Sequence, residues 1–169
     1  MSPTRPDRED SGPPPAGDAP RQAPSPRVTP VSGPAEAEAR IELHLGQCRR
    51  RRGVMSLVCV AVDTIARPDG ALTPHLERRV REEVSNRIGN AVRGSDSILR
   101  ESERDACVVM PGAEPAVAAR VASRLARLLN GDYRVAGELM HVQVRIGTAS
   151  HPGDGDDAGT LVRRATERN

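Results

Sequence analysis

The chain has no tryptophan or phenylalanine and a single tyrosine, Tyr133. This excludes the stacking platform on which single-stranded nucleic acid is read, and leaves Val, Leu, Ile, Ala and Met to build any core. Charge of one sign is lacking too. The formal net charge is +2 over 169 residues, so no global field points to nucleic acid or to an anionic membrane as a partner. No apolar run approaches the ~20 residues needed to cross a bilayer, and the N-terminus lacks a signal-peptide apolar stretch. The cytoplasm is the expected compartment. Three widely spaced cysteines, Cys48, Cys59 and Cys107, include no Cys-x-x-Cys pair, and an odd number argues against a disulfide scaffold. Cys59 and Cys107 lie inside apolar runs, where cysteine behaves as a small buried hydrophobe. His44, His75, His141 and His151 form no metal-ligand spacing.

What is present divides in two. Residues 1–34 hold ten of the fifteen prolines, and their four acidic and four arginine side chains cancel. Such a composition buries too little apolar surface to offset ordering, so the segment is expected to be disordered. Residues 35–169 read as one domain. Ala35 to Gln47 has helical spacing, with Ile41, Leu45 and Cys48 on one face. Arg49 to Arg52 follow as cations that complement the helix dipole, a reading preferred to a nucleic-acid patch because no aromatic accompanies them. Leu57 to Val62 is a continuous apolar run, expected to be a central strand that ends at Asp63. His75 to Val92 has apolar residues at four-residue steps. Pro115 opens a further helix with Val117, Val121, Leu125 and Leu128 expected to face the core and Arg120, Arg124 and Arg127 on a separate stripe. Tyr133–Val135 and 139–148 read as a hairpin across Ala136-Gly137. The loop Asp154-Gly155-Asp156-Asp157 is suited to capping a last helix, Ala158 to Glu167; it lacks the spacing and distal Glu of a calcium loop.

Between the second and third helices lies Val92 to Pro111: a helix end, a turn, and two short strands, Ile98-Leu99 and Ala106–Met110, joined by a charged tip. Arg93 and Asp96 stand at its entrance with Arg-x-x-Asp spacing. The whole order predicts an α+β fold, helices packed on a mostly antiparallel sheet.

This order and these residues resemble a GGDEF domain, the diguanylate cyclase fold, over about Val31 to Arg168. The resemblance rests most on Gly137-Glu138-Leu139 to His141-Val142, Ile146-Gly147-Thr148-Ala149, His151-Pro152 with Asp154-Gly155-Asp156-Asp157, and Leu161-Val162-Arg163-Arg164-Ala165. These look like the family's hairpin, its "SIG-A" strand, its "P-x-DG" loop and the start of its last helix. Aligned without gaps, the five signature positions are Ser102, Glu103, Arg104, Asp105 and Ala106. The family's two metal-binding carboxylates fall on Arg104 and Ala61, while Asp63 keeps the second Asp of a strand-end "D-x-D". The guanine-reading positions fall on Asp69 and Arg78. A guanidinium cannot ligate a divalent cation, so the resemblance implies no magnesium, no other cofactor and no cyclase activity. It also implies an inhibitory-type site for cyclic di-GMP at Arg93 and Asp96, nine residues before the first signature position, supplemented by Arg120 and Arg124. A receptor domain that dimerises or docks a protein partner on ligand binding is the expected function. Two alternatives stay open: an interaction module without nucleotide binding, and, less favoured, a residual cyclase. In the plainer reading Arg93 is a helix-end cation, Asp96 a turn residue, and the arginine stripe a solvated face.

Overall fold

A computed structural model describes residues 27–100 and 105–167. In chain order the elements are β1 (Arg27–Pro30), α1 (Pro34–Arg50), β2 (Met55–Ala66), α2 (Pro74–Ala91), β3 (Ser97–Arg100), β4 (Asp105–Pro111), α3 (Pro115–Leu129), β5 (Gly131–Val135), β6 (Glu138–His151) and α4 (Ala158–Glu167). Among the described residues six strands make one sheet, ordered β1-β3-β4-β2-β6-β5. All neighbours are antiparallel except β1 and β3. The α+β expectation holds.

The apolar run in β2 is continuous because both faces of that strand are covered. One face builds a core with α2 and α3, using Val58, Val60, Val80, Ile88, Val108, Leu125 and Met140. The opposite face builds a second core with α1 and α4, using Ile41, Leu45, Leu57, Val109 and Leu161. Each fully buried aliphatic side chain contributes about 1.5–3 kcal/mol of transfer free energy, so these two cores hold the sheet between its helices.

The helix starts follow their sequence signals. Pro occupies the first turn of α1, α2 and α3, where its missing N–H costs nothing. Thr73 caps α2 by accepting from the Leu76 N–H at 3.3 Å. Asp157 caps α4 by accepting from the Thr160 N–H at 2.8 Å, as its loop predicts, and this bond holds the Asp157 carboxyl below the usual carboxylate range.

Three details differ from the sequence reading. The segment 1–34 is not without structure throughout: Arg27–Pro30 forms β1, whose residues pair in parallel with Ser97–Arg100. Residues 1–26 lie outside the described residues. Asp63 does not end β2, which continues to Ala66; the register with β6 shifts between Val62 and Thr64, so Asp63 sits on a bulge that turns its side chain to solvent. On α3 the inward positions are Ala118, Val121, Leu125 and Leu129, while Leu128 is 39% exposed. The buried stripe runs at steps of three and four that arrive at Leu129, and its neighbour is left outside.

Candidate functional site

Strand register places the chemistry-bearing residues at two ends of the sheet. At one end the β2–β4 ladder finishes with Ala61 opposite Asp105, which follows Ser102, Glu103 and Arg104 in the chain. Those three residues lie outside the described residues. Asp63, the carboxylate on the bulge, makes an ion pair with Arg145 of β6 at 3.1 Å. Just beyond the end of β2, Arg67 pairs with Glu138 at 2.9 Å.

At the other end stand the turn between α2 and β3, the loop that closes β4 at Pro111, and the loop that follows β6 at His151. The turn is held from within. The Arg93 N–H donates to Asp96 Oδ2 at 2.9 Å, and the Asp96 N–H donates to the Arg93 carbonyl at 3.0 Å. Asp96 is only 4% exposed. Its carboxylate therefore faces the backbone it fixes, as the turn reading proposes. Arg93 is exposed.

One arginine of the α3 stripe, Arg124, reaches the end of α2 through helix packing. The Arg124 guanidinium donates through Nη2 to the Ala91 carbonyl, the last residue of α2. Here a cation meets an orphan carbonyl at a helix C-terminus, which the partial negative charge there favours. Arg120 lies one turn nearer the start of α3, on the same stripe and exposed. Among the described residues neither the Arg93 nor the Arg120 guanidinium has a hydrogen-bond or ion-pair partner. Of the four residues singled out in the sequence, Arg124 reaches the end of α2, Arg93 and Asp96 bond each other within the turn that follows, and Arg120 makes no contact with the other three.

A groove of about 460 Å³ opens at the α2–α3 junction, lined by Arg87, Asn90, Ala91, Arg124 and Leu128. Arg93, Asp96 and Arg120 are not part of its lining. Arg87 and Asn90 are the residues that sequence reasoning misses. Arg87 lies over the Tyr133 ring, 3.7 Å from its centroid, binds Glu83 at 3.1 Å, and donates to the Leu128 carbonyl at 3.3 Å. No spacing within α2 announces this, because it depends on where α3 and β5 fall. Burial pushes the Tyr133 hydroxyl up from its ordinary pKa, and the hydroxyl donates to the Leu129 carbonyl at 2.8 Å. No helix of the described residues is long and apolar enough to cross a membrane.

Comparison with known proteins places this geometry. The GGDEF domain of YfiN (TpbB) from Pseudomonas aeruginosa superposes with a TM-score of 0.70 at 21% identity, covering 80% of this chain and 85% of that one. The active GGEEF domain of a diguanylate cyclase from Vibrio cholerae gives 0.63 at 14% identity, covering 81% and 87%. By sequence, the bifunctional diguanylate cyclase/cyclic di-GMP phosphodiesterase MucR of P. aeruginosa is 27% identical over 126 residues, 75% of this chain. The match spans 18% of that relative's own length. The profile of the diguanylate cyclase, GGDEF domain family matches residues 79–168. With over half its length matched in this way, the chain belongs to the GGDEF domain family.

Proposed function

We propose that this GGDEF domain is a cyclic di-GMP receptor that does not synthesise the nucleotide. The observation that supports the reading is the contact of Arg124 with the Ala91 carbonyl at the end of α2, two residues before Arg93. Arginine presents a planar fork suited to phosphate oxygens and to the O6/N7 edge of guanine. Arg93 and Arg120, exposed and without partners among the described residues, are available for both. Arg124 retains donors beyond the one given to Ala91. Asp96 enters in two ways: it fixes the turn that presents Arg93, and its second oxygen is the acceptor for guanine N1–H and N2–H.

Phosphoryl transfer in such an enzyme relies on metal ions that clamp phosphates and neutralise developing charge. On the gapless alignment the donor set does not fit a metal. Ala61 offers no side-chain oxygen, Arg104 brings a positive charge, and Asp63 is ion-paired with Arg145.

A second reading, an interaction module without nucleotide binding, is favoured by the inward commitment of the Asp96 carboxylate. Partner docking suits either reading; among the structural neighbours, SiaD of P. aeruginosa is seen in complex with its activator SiaC. Calorimetric titration of cyclic di-GMP into the wild type and into Arg93→Ala separates the two. Micromolar or tighter binding that the variant loses establishes the receptor. No heat, and no rise in melting temperature with ligand, leaves the interaction module, because a ligand that binds only the native state must stabilise it.

A further inference from the structure

We propose that Cys59 and Cys107 form a reversible cross-strand disulfide, which makes the β2–β4 seam a thiol-oxidation site. The chain's three cysteines are all thiols in the structure, and all three lie in the core on the α1/α4 face of the sheet. Register sets Cys59 directly opposite Cys107.

The phase of the ladder decides whether the pair can be bridged. The Gly112 N–H donates to the Val54 carbonyl at 2.8 Å, which extends the same register by one hydrogen-bonded pair. Such pairs alternate along an antiparallel ladder with pairs that share no bond. Ser56–Met110, Val58–Val108 and Val60–Ala106 are therefore bonded pairs, whereas Met55–Pro111, Leu57–Val109 and Cys59–Cys107 are not. Pro111, which has no N–H, falls as it must on an unbonded position. Opposed residues of that kind bring their Cα atoms to about 4.5 Å and their side chains closest together. That separation lies inside the ~4.4–6.8 Å that a disulfide spans. Neither a leucine nor an alanine pair at this position would carry any chemistry; two thiols do.

The surroundings permit the bond. The residue facing Cys59 on its other side is Gly147, which contributes no side chain to resist a small shift of β2. Cys59 is 9% and Cys107 7% exposed, so the oxidant must be small, and hydrogen peroxide is the class that fits. One thiolate attacks a peroxide oxygen, the O–O bond breaks, and a sulfenic acid and water result. The second thiol then attacks that sulfur, the S–S bond forms, and a second water leaves. Two thiols give up two electrons and two protons in total, and one peroxide becomes two waters. A dithiol reverses the change by exchange. The closed loop contains α2, the Arg93–Asp96 turn and β3, so oxidation cross-links β2 and β4, the two strands that bracket the candidate site in the chain.

The test uses the full chain, reduced, then treated with increasing hydrogen peroxide, denatured, alkylated and mapped by mass spectrometry. The expected product is monomeric, alkylated at Cys48 alone, and carries a peptide pair linked through Cys59 and Cys107. Dithiothreitol should return three alkylatable thiols. Cys48→Ser should oxidise within about twofold of the wild-type rate, and Cys107→Ser should form no internal link. Three alkylated cysteines after oxidation, a link through Cys48 or between chains, or sulfinic acid at Cys59 without a link would each overturn the proposal.

Discussion

The two ends of the sheet differ in how several of their carboxylates are engaged, although the turn end also holds one carboxylate–guanidinium pair, Glu42 with Arg49 at 2.7 Å. At the β2 end carboxylates meet guanidiniums: Asp63 with Arg145 and Glu138 with Arg67. At the turn end three aspartates accept instead from backbone N–H groups. Asp96 takes the Arg93 N–H, Asp154 the Ser150 N–H and Asp157 the Thr160 N–H. Acids committed to the backbone leave nearby arginines unneutralised, and Arg93 and Arg120 stand as such among the described residues. The chain contains no lysine, so the cationic surface that results is made of planar forks rather than point charges. A surface that exposes guanidinium groups can thus arise by engaging some local acids elsewhere, without a strongly basic net composition.

The largest effect that would sharpen this contrast is on ligand affinity. Arg93→Ala should weaken cyclic di-GMP binding by the ~1.5–3 kcal/mol of a charge-assisted bond, roughly ten- to more than a hundred-fold by calorimetry, while the melting temperature of the unliganded domain stays put. A variant that binds as well as the wild type would break the comparison at its active end. Asp96→Ala should do the reverse in the free protein. It removes a buried acceptor from the Arg93 N–H and should cost about 1–3 kcal/mol in chemical denaturation; unchanged stability would mean the aspartate is not the turn's fastener.

Smaller still is the pair at the opposite end. Asp63 and Arg145 are both well exposed, and exposed pairs contribute about 0–1 kcal/mol. Arg145→Ala should shift the unfolding free energy within that range, and a larger loss would show that the β2 end depends on its ion pairs after all. The last is a pH effect. The Asp157 carboxyl is held below its ordinary 3.8 mainly by the Thr160 N–H, so the folded state binds that proton less readily than the unfolded chain. The stabilisation is present above about 3.8 and fades as pH falls through the lower folded value. Asp157→Ala should flatten that part of the acid-unfolding profile.

Much of this architecture was legible beforehand, for identifiable reasons. Ile41, Leu45 and Cys48, or Val80, Val84 and Ile88, repeat at helical steps because one helix face must meet the sheet, and those helices form where their periodicity says. The strand β1 was hidden because it lies in proline-rich sequence and its stabilisation comes from β3, about seventy residues later. The bulge at Asp63 was hidden for a related reason: it is a property of β2 paired with β6, and the apolar run alone shows only where burial ends. At the candidate site, the spacing of Arg120 and Arg124 was readable, and so was the proximity of Arg93 to Asp96. The contact between Arg124 and Ala91 was not, since it requires the crossing of two helices. Nor was the inward orientation of the Asp96 carboxylate, which a four-residue pattern leaves open.

The short parallel strand β1 has a further consequence. It is four residues long, occupies the sheet's rim, and Val28 within it is 49% exposed. A piece with so few buried contacts opens at a free-energy cost far below that of global unfolding. Amide exchange should therefore be fastest, among the strands, at Val28 and Thr29, and should slow inward through β3 to β4. Each time β1 lifts, the backbone of β3 becomes an open rim with unsatisfied donors and acceptors, a template for strand addition by another extended chain. The residues that lead into the domain thus double as its guard against edge-to-edge association.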